Sequence, residues 1–171
     1  MTEITLIRNY LQEVQQSLEE VGLQDLTPIV DLLHRAYLEN ANVYLMGNGG
    51  SASTSSHFAA HLQEGIGGQG RGGLRAICLN DNVPRMTAVA NDFDYESVFV
   101  IQIRESLSAS DVVIIISGSG ESPNVIKTAE MAKEVGAGIV SFTGFGGGKL
   151  HGLADCGVTL SSRQYGPIED V

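Results

Sequence analysis

Two short loops, Gly47-Asn48-Gly49-Gly50-Ser51 and Ser117-Gly118-Ser119-Gly120-Glu121-Ser122, each follow an apolar, strand-like run and lead into a helix-like one. Strand, tight turn and helix in succession point to a parallel sheet, whose turns gather at the C-terminal ends of the strands. Glycine lets the backbone approach a ligand and turn its N–H groups inward. Serine adds hydroxyl donors, and the start of the following helix favours an anion. The two loops contain no lysine or arginine, and the chain carries 10 Lys+Arg against 20 Asp+Glu. An anion bound here would be held by amides and hydroxyls rather than by bulk positive charge.

The 171 residues, 43% hydrophobic and 18% charged, suit one well-filled domain, 1–171. Within it, residues 1–40 read as a helical pair used for packing and 41–171 as an α/β core. A net charge of −10 excludes a general nucleic-acid or anionic-membrane surface, since both would repel the chain at long range. Cys78 and Cys156 lie in strand-like apolar runs, as small buried thiols do in a reducing compartment. The first residues lack the basic start and apolar core of a signal peptide, and no apolar run reaches membrane-spanning length. A cytoplasmic protein is expected.

Leu6, Ile7, Leu11, Val14 and Leu18 recur at helical spacing and predict an amphipathic helix whose apolar stripe needs a partner. Thr27-Pro28 predicts an N-cap and first-turn proline for a second helix ending near Leu38. Five apolar runs follow, 43–46, 74–79, 112–117, 138–143 and 158–160, separated by helical stretches at 52–65, 84–90 with 95–107, 122–135 and 148–153. The expected fold is a single three-layer α/β domain: a five-stranded parallel sheet, doubly wound and flavodoxin-like, preceded by two helices. Glycine-rich turns are expected at 65–73 and 144–148. Pro167-Ile168-Glu169-Asp170-Val171 reads as the first turn of a helix at which the sequence stops.

Gly47, Gly49 and Ala52 fit G-x-G-x-x-A, but the ribose-binding carboxylate expected roughly twenty residues on is replaced by the glycine-rich stretch. Gly144 to Lys149 fails as a phosphate-binding P-loop, with Thr143 in place of the first glycine and Leu150 in place of the magnesium-binding hydroxyl. No nucleotide cofactor is expected.

G-N-G-G-S after the first strand, S-x-S-G-x-S-P-N after the third and V-A-N-D-F between them resemble the sugar isomerase (SIS) domain family, and within it the phosphoheptose isomerase branch. The resemblance covers nearly the whole chain. It implies that Ser117, Gly118, Ser119 and Ser122 hold the phosphate of sedoheptulose 7-phosphate, with Gly118 in place of the family's usual threonine. Ser51 of the first loop adds a hydroxyl beside them. It also implies that Asn48, Gly49 and Gly50, with the pair Asn91 and Asp92, contact the sugar.

Family members carry a histidine and, four residues later, a glutamate on the helix after the first loop, both able to bind zinc, the glutamate also serving as base. Here the positions hold His57 and His61. Residues four apart share one helix face about 6 Å apart, so the two imidazoles can share zinc or another divalent ion. Glu64, one turn further, stands roughly 10 Å of rise from His57. The resemblance places Glu169 where the family has a glutamine ligand, and a final histidine ligand beyond Val171. The candidate metal ligands are thus His57, His61 and Glu169, and the candidate proton-transfer groups His61 and Glu169.

Aldose–ketose isomerisation moves a proton between C1 and C2 through an enediol and needs a base near neutral pKa, which an imidazole supplies. Three readings stand: a sugar-phosphate isomerase of heptose biosynthesis, a sugar-phosphate-binding module acting as sensor or assembly factor, and a nucleotide-dependent oxidoreductase, against which the missing ribose carboxylate counts. The two leading helices carry more apolar surface than one sheet face requires, and a homo-oligomer, a tetramer, is expected.

Overall fold

The structure, a computed structural model, describes residues 2–65 and 72–171. Most of the glycine-rich stretch 65–73 lies outside the described residues. Five strands, β1 (Asn42–Gly47), β2 (Arg75–Cys78), β3 (Val112–Ser117), β4 (Gly138–Thr143) and β5 (Cys156–Thr159), form one sheet of order β2-β1-β3-β4-β5. Every neighbouring pair is parallel, the flavodoxin-like order.

Alternation along the strands feeds two cores. Tyr44, Met46, Val113, Ile115 and Ile139 turn to one face. That face is covered by α4 (Val83–Asp92), α5 (Val100–Ile103), α6 (Pro123–Val135) and α7 (Gly148–Leu153). Val43, Leu45, Ile114 and Val140 turn to the other, beneath α2 (Leu23–Leu38), α3 (Gly50–Glu64) and the short α8 (Tyr165–Glu169). The expected helix over 95–107 is instead a 3₁₀ turn at Tyr95–Ser97 followed by α5.

The second helix starts five residues before the Thr27-Pro28 signal. Gly22 N–H donates to the Asp25 carboxylate at 3.1 Å and the Thr27 hydroxyl to the Leu23 carbonyl at 2.8 Å, so the helix closes its own start and Pro28 lies inside it. The last helix likewise begins at Tyr165 rather than Pro167.

The first helix, α1 (Glu3–Glu20), buries none of the apolar residues that predicted it. Ile4, Ile7 and Leu11 are 70%, 61% and 61% exposed, and Leu18 is exposed too. What α1 turns to the body is polar. Glu20 accepts the Ser161 N–H at 2.7 Å and hydroxyl at 2.5 Å. Glu13 accepts the Ser162 hydroxyl at 2.7 Å and the Gln164 amide at 2.6 Å. The Tyr10 hydroxyl donates to the Asp170 carboxylate, which raises the pKa of the phenol.

Residues 161–170, which carry α8, are therefore held by carboxylate hydrogen bonds from α1. Each fully buried Val or Ile of the sheet contributes about 1.5–3 kcal/mol, so the sheet outweighs this strap and persists without it. Replacing Glu13 and Glu20 together by alanine is expected to speed amide exchange at Ser161 and through 165–169 while β1 and β3 keep wild-type protection. Unchanged exchange in 161–169 would show that the carboxylates do not hold α8.

Candidate active site

The register pairs Gly47 with Ile116 and Ser117 with Thr143, so the loops leaving β1 and β3 emerge at the same edge. Strand order reverses between these two strands, where parallel α/β sheets form their ligand crevice. Asn80, just past β2, fixes the first loop by donating to the Gly47 carbonyl at 2.9 Å and accepting the Gly47 N–H at 3.2 Å. Gly49 then turns the chain with φ 57°, a left-handed conformation glycine adopts without strain, and α3 starts.

Asn48 and Asn124, the latter buried at the start of α6, exchange two amide hydrogen bonds, both 2.9 Å. The Tyr95 hydroxyl adds a third bond, to Asn48 Oδ1 at 3.0 Å. The side chain expected to touch the sugar thus also ties the first loop to the second. One Nδ2 hydrogen is left for a ligand.

In the second loop the Ser117 hydroxyl oxygen accepts the Gly120 N–H and the Ser119 oxygen the Glu121 N–H, each at 3.2 Å. These bonds fix the oxygens and leave both hydroxyl hydrogens free to donate. The N–H groups of Ser119 and Ser122 make no hydrogen bond among the described residues. Ser122 is the N-cap of α6, whose first turn carries no acidic residue, and the Glu121 carboxylate just before it is turned to the Lys149 N–H at 2.7 Å, so the hydroxyls and the helix start are left to an anion. Gly118 follows β3 directly, and Ser51 is buried in the first turn of α3.

Glu169 reaches the first loop. Its Oε1 lies 3.1 Å from the position of a Cβ on Gly50, which puts a carboxylate at the start of α3. The anionic end of a ligand is therefore directed to the second loop and the neutral end to Gly50. A cavity of about 310 Å³ lies beside them, with Ser51, Thr54, Phe58, Gly118, Ile168 and Glu169 on its walls, and Ser117, Ser119 and Ser122 stand outside its lining.

His57 and His61 meet each other, Nε2 to Nε2 at 2.8 Å, on the exposed side of α3. From Gly50 they stand about 10 and 16 Å along the helix. Among the described residues no group of three His, Cys, Asp or Glu is placed to hold a metal ion, so Glu169 does not join the histidines within one chain. The pair offers two nitrogen donors with no third ligand beside them among the described residues.

Asn91 and Asp92 lie exposed in the last turn of α4, hydrogen-bonded to each other at 2.9 Å. Sequence reading missed Asn80, Tyr95 and Tyr165, and quoted Asn124 without giving it a role. Asn124 follows the serine loop in S-P-N, and that position was the available signal. Both cysteines are unpaired, Cys78 buried and Cys156 half-buried, and burial pushes the Cys78 thiol up to about 11. No described helix is long and apolar enough to cross a membrane.

Replacing Asn124 by alanine strands the buried side of the Asn48 amide, and an unmet polar group of this kind costs about 1–3 kcal/mol. Urea unfolding is expected to show that loss. A change below about 0.5 kcal/mol would mean the amide pair does not bind the loops together.

Comparison with known proteins agrees with this geometry. Residues 9–144 match the SIS domain family model. A probable phosphoheptose isomerase of Thermoplasma acidophilum is 37% identical over 164 residues, covering 96% of this chain and 90% of the relative. A phosphoheptose isomerase of Helicobacter pylori is 39% identical over 161 residues, covering 94% and 82%. The solved phosphoheptose isomerase GmhA of Neisseria gonorrhoeae superposes with a TM-score of 0.86 at 26% identity, covering 98% of this chain and 89% of that one. With its paired loops at one sheet edge and this likeness along almost its full length, the chain belongs to the SIS domain family, on the phosphoheptose isomerase branch.

Proposed function

We propose that this protein is a phosphoheptose isomerase interconverting sedoheptulose 7-phosphate and its aldose isomer. The observation that carries the reading is the division of one edge between a hydroxyl loop whose own carboxylate, Glu121, is turned to the Lys149 N–H and a glycine loop with Glu169 beside it. The phosphate is gripped by the hydroxyls of Ser117, Ser119 and Ser122 and by free amides of their loop, with Ser51 facing them across the crevice. Binding energy at that end holds C1 and C2 beside Gly49 and Gly50.

A base takes a proton from C1 of the ketose, and the electron pair forms the C1=C2 enediol with charge developing on O2. Transfer of the O1 proton to O2 and return of the first proton to C2 give the aldehyde. Glu169 is the carboxylate positioned for this transfer, and the free N–H of Asn48 is the donor for the developing oxyanion. Asn91 and Asp92 add sugar contacts.

Replacing Ser119 and Ser122 together by alanine removes hydroxyl donors and spares the fold. The expected outcome is a rise in KM for sedoheptulose 7-phosphate of about 100-fold, from two charge-assisted hydrogen bonds. Wild-type protein that yields no aldose product, yet is stabilised by the sugar phosphate in thermal melts, would favour the sensor or assembly-factor reading instead.

Assembly completes the site in this proposal. Ile4, Ile7, Leu11, Val14 and Leu18 alternate at three and four residues along α1, the seam spacing by which helices pair. We assign this face to a homotetramer, working in the reducing cytoplasm. There His57 and His61, exposed on α3, would hold a divalent ion with further ligands from water or a second copy, and His61 is the candidate second base where it is not metal-bound. Native mass spectrometry reads both points. A tetramer retaining zinc, with the metal lost from a His57→Ala, His61→Ala variant, is expected; a monomer, or equal metal in both proteins, would contradict the assignment.

A further inference from the structure

Gly118 and Tyr165 lie close for a reason that the phosphate grip does not supply. A Cβ on Gly118 would come within 3.0 Å of Tyr165 Cε1 and 3.2 Å of Cδ1, so the ring rests on the bare backbone of the hydroxyl loop. Behind it stands Phe145, with ring centroids 4.9 Å apart and planes tilted by 54°. Phe145 holds this place at φ 51°, the left-handed region that a bulky side chain rarely enters. Its N–H donates to the Ser162 carbonyl at 3.0 Å, and the Gly144 N–H to the Gly118 carbonyl at 2.9 Å, so the turns after β3 and β4 and the lead into α8 are bound together.

The backbone is thus bent at Phe145 and left without a side chain at Gly118, and both features accommodate one aromatic ring. That ring is 57% exposed although its edge is packed. A core buttress would be covered. A ring left open beside polar donors is what a sugar's C–H face stacks on.

We infer that Tyr165, seated on Gly118 and backed by Phe145, is a wall of the site at the hydroxyl loop, contacting the carbons of the sugar chain next to the phosphate and not the phosphate itself. This inference rests on the sugar-phosphate reading above and adds a specificity-determining residue to it. The wall discriminates among sugar phosphates by the length and shape of the chain that must pass it.

The test compares two ligands on one set of variants. For Tyr165→Ala, KM for sedoheptulose 7-phosphate is expected to rise about tenfold with kcat within about threefold, while the inhibition constant of inorganic phosphate stays within about twofold. Tyr165→Phe should behave as wild type in KM. Gly118→Ala should raise KM when Tyr165 is present and add nothing when Tyr165 is already alanine, because the clash is with the ring.

Parallel weakening of sugar phosphate and inorganic phosphate would overturn the inference, since the ring would then only support the loop. So would an unchanged KM. Calorimetric binding of the same ligands separates this inference from the isomerase reading: Tyr165-dependent binding without turnover removes the reaction and keeps the wall, and turnover with a KM indifferent to Tyr165 does the reverse.

Discussion

The parallel pairing of β1 with β3 is the constraint on which the site depends. With Gly47 beside Ile116, the chain leaves both strands at one edge, and the Asn48–Asn124 amide pair then closes the two loops on each other. A slip of one residue would exchange the apolar residues of β3 between two differently packed cores and carry Ser117 out of line with the first loop. The fully buried Val113, Ile114 and Ile115 oppose that slip, so the packing that stabilises the sheet also sets the geometry of the loops.

Charge is apportioned within this frame. The chain is strongly acidic, yet the first turn of α6 is free of acidic residues, Glu121 before it is turned to the Lys149 N–H, and Glu169 stands against Gly50 at the start of the other helix. A phosphate and a proton-transferring carboxylate can coexist there because each is allotted a different helix start. Glu169 is held in place indirectly: α8 is strapped to α1 through Glu13, Glu20 and Tyr10, and α1 leaves its apolar seam exposed. Helix α1 therefore links the surface proposed for assembly to the carboxylate proposed for proton transfer.

Much of this was legible in the residues. Continuous apolar runs separated by helical periods identified the parallel sheet, and each of the five strands overlaps its expected run. The serine loop and the glycine loop were legible because glycine and hydroxyl residues at a strand-to-helix turn have few purely structural explanations. Helix starts were harder. Asp25 closes α2 ahead of Thr27-Pro28 through a bond to the Gly22 backbone, which a proline signal outweighs on paper. The role of Asn48 as a tie depends on Asn124, 76 residues away, and the seat of Tyr165 on Gly118 likewise depends on a neighbour remote in sequence. His57 and His61 meet as their spacing implies, whereas Glu169 stands elsewhere, because helix rise carries the histidines away from the loop edge.

Amides and hydroxyls at the end of β3, rather than cationic side chains, are the proposed grip on a sugar monophosphate. A crystal structure with sedoheptulose 7-phosphate bound tests this directly. The account predicts phosphate oxygens within about 3 Å of the Ser119 and Ser122 hydroxyls and amides, with C1 and C2 near Gly50 and Glu169. A phosphate seated on lysine or arginine side chains away from that loop would contradict it.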